Sequence, residues 1–93
     1  MSSFKISNDT MVVTSTYITR DGFPILEVSH EDDEDRGSLW QFHAGNGDYG
    51  MDRMQLVRLG TILALDFSIT ELGDLGMGLT ARRSASGESW TIS

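Results

Sequence analysis

Two histidines and a run of carboxylates are the residues here whose types could do chemistry. His30 stands directly before Glu31-Asp32-Asp33-Glu34-Asp35, and His43 follows shortly after that run. Two imidazoles and an acid form a donor set for a divalent transition metal. The spacing of these two matches no ligand pattern, so hydrogen-bonded or solvated imidazoles are the expectation. A calcium loop starting at Glu31 puts Asp33 and Asp35 at its third and fifth positions, but it then meets Arg36 where glycine is required and Phe42 where the bidentate glutamate belongs. The chain has serines but no Gly-x-Ser-x-Gly elbow and no cysteine nucleophile. The glycines between Gly73 and Gly78 lack the lysine and the strand-to-helix setting of a phosphate loop. The residues therefore predict a protein that is not an enzyme and holds no metal and no cofactor.

Binding is the chemistry that remains. The acidic run is either a solvated loop or a surface that engages arginines and lysines of a partner protein, which raises the association rate and sharpens specificity. Asp48 and Tyr49, in the glycine-rich turn Gly45-Asn46-Gly47-Asp48-Tyr49-Gly50, extend that surface, with Tyr49 as an amphipathic anchor. The candidate partner-binding residues are thus Glu31, Asp32, Asp33, Glu34, Asp35, Asp48 and Tyr49. The net charge of −7, from 14 acids against 7 bases, lacks the basic footprint that nucleic acid requires. Lys5 is the single lysine. Arg82 and Arg83 are the one pair of adjacent bases, able to answer the acidic run within the fold or across a homodimer.

These residues need a scaffold, and 93 residues with 39% hydrophobic side chains suit one domain, 1–93, with 1–9 as a loose lead-in. The stretch Leu39-Trp40-Gln41-Phe42-His43-Ala44 alternates, with Trp40, Phe42 and Ala44 on one face and Leu39, Gln41 and His43 on the other. Residues 11–18 and 25–30 read as strands around the turn Arg20-Asp21-Gly22-Phe23-Pro24, and so as a hairpin. Further strands are expected at 55–59, 78–83 and 89–92. Leu59, Ile62 and Leu63 have helical spacing, and Ser68 with Glu71 reads as a capping box opening a second helix. The predicted fold is α+β: a twisted, mostly antiparallel sheet of five or six strands, with short helices at about 60–65 and 69–75 on one face. Trp40, Phe42, Leu26, Val28, Ile62, Leu63, Leu72 and Trp90 are its expected core. Met1-Ser2-Ser3-Phe4-Lys5 has no apolar signal core, and no run approaches the roughly 18 apolar residues of a membrane span. Without cysteine, the expectation is a cytoplasmic chain.

Several segments together resemble a known family. They are Val28-Ser29-His30-Glu31, Trp40-Gln41-Phe42-His43-Ala44-Gly45, Leu59-Gly60-Thr61-Ile62-Leu63, Asp66-Phe67-Ser68-Ile69, and the ending with Leu72, Leu75, Gly78, Ala81, Arg83 and Trp90. Their order and spacing over residues 12–92 resemble the bacterial immunity protein thirty-three-like domain family, formerly a domain of unknown function. Trp40-x-Phe42-x-x-Gly45 followed by Leu59 to Leu63 is the most specific part. The chain departs from the signature at Gly37-Ser38-Leu39, where Asp-Ser-Gly is expected. It has Phe67 in place of the proline after Asp66, and Gly76 in place of the proline before the final strand. The resemblance implies an α+β domain that neutralises a cognate bacterial toxin by binding it.

Overall fold

A computed structural model describes residues 4–32, 37–48 and 50–93. Six strands form one sheet in the order β4-β1-β3-β2-β5-β6. They are β1 (Met11–Ser15), β2 (Glu27–Glu31), β3 (Leu39–His43), β4 (Met54–Arg58), β5 (Leu79–Arg82) and β6 (Thr91–Ile92). Helix α1 (Thr16–Thr19) follows β1 and α2 (Leu59–Leu65) follows β4, with 3-10 segments at Met51–Arg53 and Phe67–Leu72. The α+β architecture matches the sequence expectation, and four of the five strand pairings are antiparallel.

The exception is β1 with β3, which run parallel with Thr14 beside Phe42. The expected hairpin between 11–18 and 25–30 does not form. The chain does reverse between β1 and β2, but β3 lies between them, hydrogen-bonded to both. Two local features prevent direct pairing. The β-branched run ends at Ser15 and Thr16 starts a helical turn, closed by the Arg20 N–H on the Thr16 carbonyl at 2.8 Å. The wide 20–26 connection then leaves room for a strand. β3 fills it because it carries the largest apolar pair, and the Thr14 hydroxyl donates to the Phe42 carbonyl across the join at 2.8 Å.

Alternation sets the two faces. Val12, Val28, Phe42 and Ala81 point to one side and are fully buried with Leu59, Ile62 and Ile69, so α2 and the Phe67–Leu72 turn cover that face. Trp40 is buried too, edge-on to Phe4 at 4.8 Å and stacked on His30 at 4.0 Å. Phe4 corrects the reading of 1–9 as a loose lead-in, because its ring closes the core over Trp40 and Phe42. Leu26 and Trp90, expected at the centre, are only partly buried, and Ile25 takes the inner position beside Leu26.

Arg83 is the one buried cation among the described residues. Its guanidinium donates to Asp66 Oδ2 at 2.7 Å and to the Ile25 carbonyl at 3.0 Å, and it lies over the Trp90 ring at 4.2 Å. The arginine pair therefore divides: Arg82 bonds Glu27 on the opposite face and Arg83 bonds Asp66, and neither answers the described part of the acidic run. The cap is also reassigned. Asp66, not Ser68, is the N-cap of the Phe67–Leu72 turn, accepting from the Ser68 N–H at 3.0 Å and from the Ser68 hydroxyl at 2.6 Å. A carboxylate is the stronger acceptor, and Arg83 holds it in place.

Candidate protein-binding surface

The second face of the sheet bears Met54 and Leu56 from β4, Val13 from β1, Leu39, Gln41 and His43 from β3, and Glu27, Ser29 and Glu31 from β2. Thr80 and Arg82 of β5 complete it, by the strand registers. Its two halves differ in chemistry and meet at Gln41. On one side a groove of about 380 Å³ is lined by Glu27, Ser29, Glu31, Gln41, His43, Thr80 and Arg82. On the other, a groove of about 560 Å³ is lined by Val13, Met51, Met54, Gln55, Leu56 and Gln41. Leu56 and Met51 are exposed at 48% and 86%, so this half of the face is open and apolar.

A polar relay stiffens the acidic half. Gln41 Nε2 donates to Glu31 Oε2 at 3.3 Å, and Gln41 Oε1 lies 2.8 Å from His43 Nε2. With the glutamine oxygen accepting, the proton of a neutral His43 sits on Nε2. Burial pushes the His43 pKa below the ordinary histidine value, although Glu27 and Glu31 pull it upward. Arg82 Nε donates to Glu27 Oε2 at 2.9 Å at the start of β2, and Glu31 and Asp32, at the other end of the strand, are exposed. His30 and His43 project from opposite faces, since His30 stacks on Trp40 and donates from Nδ1 to the Leu75 carbonyl at 2.8 Å. One ion cannot bridge the two. Among the described residues no group of three or more His, Cys, Asp or Glu side chains is placed to hold a metal.

The structure separates the residues singled out in the sequence. Glu31 and Asp32 stand where β2 gives way to the 32–38 connection, beside the start of β3. Asp33, Glu34, Asp35 and Tyr49 lie outside the described residues. Asp48 lies in the turn that follows the opposite end of β3, and it is engaged within the fold. The Tyr17 hydroxyl donates to Asp48 Oδ2 at 2.6 Å and the Gly50 N–H to Oδ1 at 3.0 Å. The bond from Tyr17, then that from Gly50, holds the Asp48 carboxyl below its ordinary range, and the same contact raises the Tyr17 phenol. Arg53 lies 3.8 Å over the Tyr17 ring and pairs with Asp21 at 2.6 Å. Sequence reasoning missed Glu27, Gln41 and the Met51–Met54–Leu56 patch. The alternation of the strand that contains Gln55 and Leu56 carried a signal for the last of these.

Comparison of the chain with protein-family models, with curated proteins and with solved structures gives no match. Among the described residues no helix is long and apolar enough to cross a membrane.

Proposed function

We propose that this chain is a non-enzymatic protein-binding module of the immunity type, which neutralises a cognate bacterial toxin by occluding it. One observation carries the reading: Glu31 and Asp32, the described acids of the run, stand at the end of β2 in the middle of the sheet, next to an open face lined by Glu27 and Glu31. Central strands are the stiffest part of a sheet. Carboxylates mounted there meet a basic partner with little ordering cost, and their field accelerates encounter. The likeness to the immunity family over residues 12–92 supplies the class of partner, and the net charge of −7 suits a basic effector.

The test is co-expression with the product of the neighbouring gene. The reading predicts that the wild-type chain restores growth to cells poisoned by that product. Purified together, the two should elute as one complex whose stability falls with added salt. Continued killing at equal expression, with no complex formed, contradicts it.

A further inference from the structure

We propose that the free edge of β4 is a self-association site, on which a second copy of the chain adds as an antiparallel strand about a two-fold axis at Leu56. The proposal goes beyond the toxin-binding reading and does not depend on it.

The direction of the backbone groups along β4 carries the argument. β4 pairs only with β1, from Met11 beside Arg58 to Ser15 beside Met54. The Leu59 N–H continues that ladder onto the Thr10 carbonyl at 2.9 Å. Hydrogen-bonded pairs recur at every second residue of an antiparallel ladder, so Val57 and Gln55 turn their backbone groups toward β1. Met54, Leu56 and Arg58 turn theirs outward. Two of these six groups are used within the chain: the Met54 N–H closes on the Met51 carbonyl, and the Arg58 carbonyl opens α2 as its N-cap. Four remain, the Met54 carbonyl, the Leu56 N–H, the Leu56 carbonyl and the Arg58 N–H, with no backbone partner among the described residues.

These four groups are self-complementary. In an antiparallel pair centred on Leu56, each Leu56 exchanges both bonds with Leu56 of the second copy. Each Arg58 N–H then reaches the Met54 carbonyl of the second copy. Four hydrogen bonds form and no edge group is left over, whereas an arbitrary extended segment has no reason to leave the Met54 N–H and Arg58 carbonyl unused.

The side chains fit the same operator. Leu56, exposed at 48%, meets its equivalent on the open face, and the Met51–Met54 grooves of the two copies join. Arg58 is exposed and makes no ion pair among the described residues. The operator sets it opposite Met54 of the second copy, at the end of the strand where the Met51–Arg53 segment carries the exposed Asp52. β4 also lacks the usual edge protection. Its five residues, Met-Gln-Leu-Val-Arg, include neither proline nor lysine, while the opposite edge is the two-residue β6.

Sedimentation equilibrium of the full chain from micromolar to millimolar concentration, with amide exchange followed by NMR, tests this. The mass should climb from 10.3 kDa toward twice that value. The Leu56 and Arg58 amides should become protected as concentration rises, while Gln55 and Val57 are protected throughout. Leu56→Lys should weaken association by about tenfold or more, and so should Leu56→Pro, which removes an N–H that β1 does not use. The proposal is overturned by a single 10.3 kDa species at every concentration, or by association that leaves the Leu56 and Arg58 amides exchanging freely. A folded Leu56→Lys chain that associates like wild type overturns it as well. If neither variant folds, wild-type exchange at Leu56 and Arg58 decides the matter.

Discussion

Arg83 and Asp66 join the end of β5 to the start of the Phe67–Leu72 turn, with the guanidinium side chain 1% exposed and the carboxylate 21%. Removing one partner strands the other with its charge, so Arg83→Ala should cost about 3–5 kcal/mol, and Arg83→Met, which keeps the bulk against Trp90, should cost less. Urea midpoints would measure both. Burial pushes the Asp66 carboxyl up, but the hydrogen bonds from Ser68 and Arg83 outweigh it and hold it below the ordinary range. The unfolded chain therefore takes up this proton first. Its contribution to stability is present above about pH 4 and is lost as the pH falls through the folded-state pKa. His43 acts at higher pH with the same sign. Its folded-state pKa is lowered, so the unfolded state protonates first and stability declines as pH falls below about 6.5. His43→Gln should flatten the upper part of the acid limb and Asp66→Asn the lower part, as read from urea midpoints between about pH 7 and about pH 3.

At the scale of elements, the Asp66 cap predicts an order of effects. Asp66→Ala removes a cap and an ion-pair partner together, and should destabilise more than Ser68→Ala, whose loss is about 1 kcal/mol or less. The reverse order would mean that Ser68 caps the turn. Gly45, two residues past β3, has φ +69°, and a Cβ there would stand 3.3 Å from Leu26 Cβ. Gly45→Ala should therefore cost about 1–2 kcal/mol in thermal or urea unfolding. The sequence made some of these elements legible and hid others for physical reasons. Trp40, Phe42 and Ala44 share a buried face because alternation is a property of the strand itself. The positions of α2 and β4 followed from local periodicity in the same way. Pairing is not local: nothing between residues 11 and 30 says that a later strand will enter the gap, so the reversal alone predicts a hairpin that does not form. Ser68 with Glu71 fits a capping box, and only the position of Arg83 in the fold favours Asp66. Of the candidate surface, the placing of Glu31 and Asp32 beside β3 was legible. Asp48 was not, because its partner Tyr17 is 31 residues away in the chain.

At the scale of the whole molecule, one face of the sheet is closed by α2, the Phe67–Leu72 turn and Phe4, and the other is open. Phe4 lies far from its core partners in the chain, yet Phe4→Ala should cost about 3–5 kcal/mol by uncovering Trp40 and Phe42. A loss under about 1 kcal/mol would restore the view of that segment as a loose lead-in. The open face couples two properties in one surface, an acidic half fed by the β2–β3 hairpin and an apolar half that runs out to the β4 edge. Charge acts at long range on the rate of encounter, while apolar area acts at contact on residence time, so the two halves can be varied separately. The account rests on the acidic half acting as a recognition surface. The most direct measurement is the association rate between the proposed toxin partner, the product of the neighbouring gene, and a chain in which Glu31, Asp32, Asp33, Glu34 and Asp35 are replaced by their amides, taken across a range of salt. The account predicts a rate about tenfold or more below wild type at low salt, with a flatter salt dependence. Equal rates and equal salt slopes for the two proteins would contradict it.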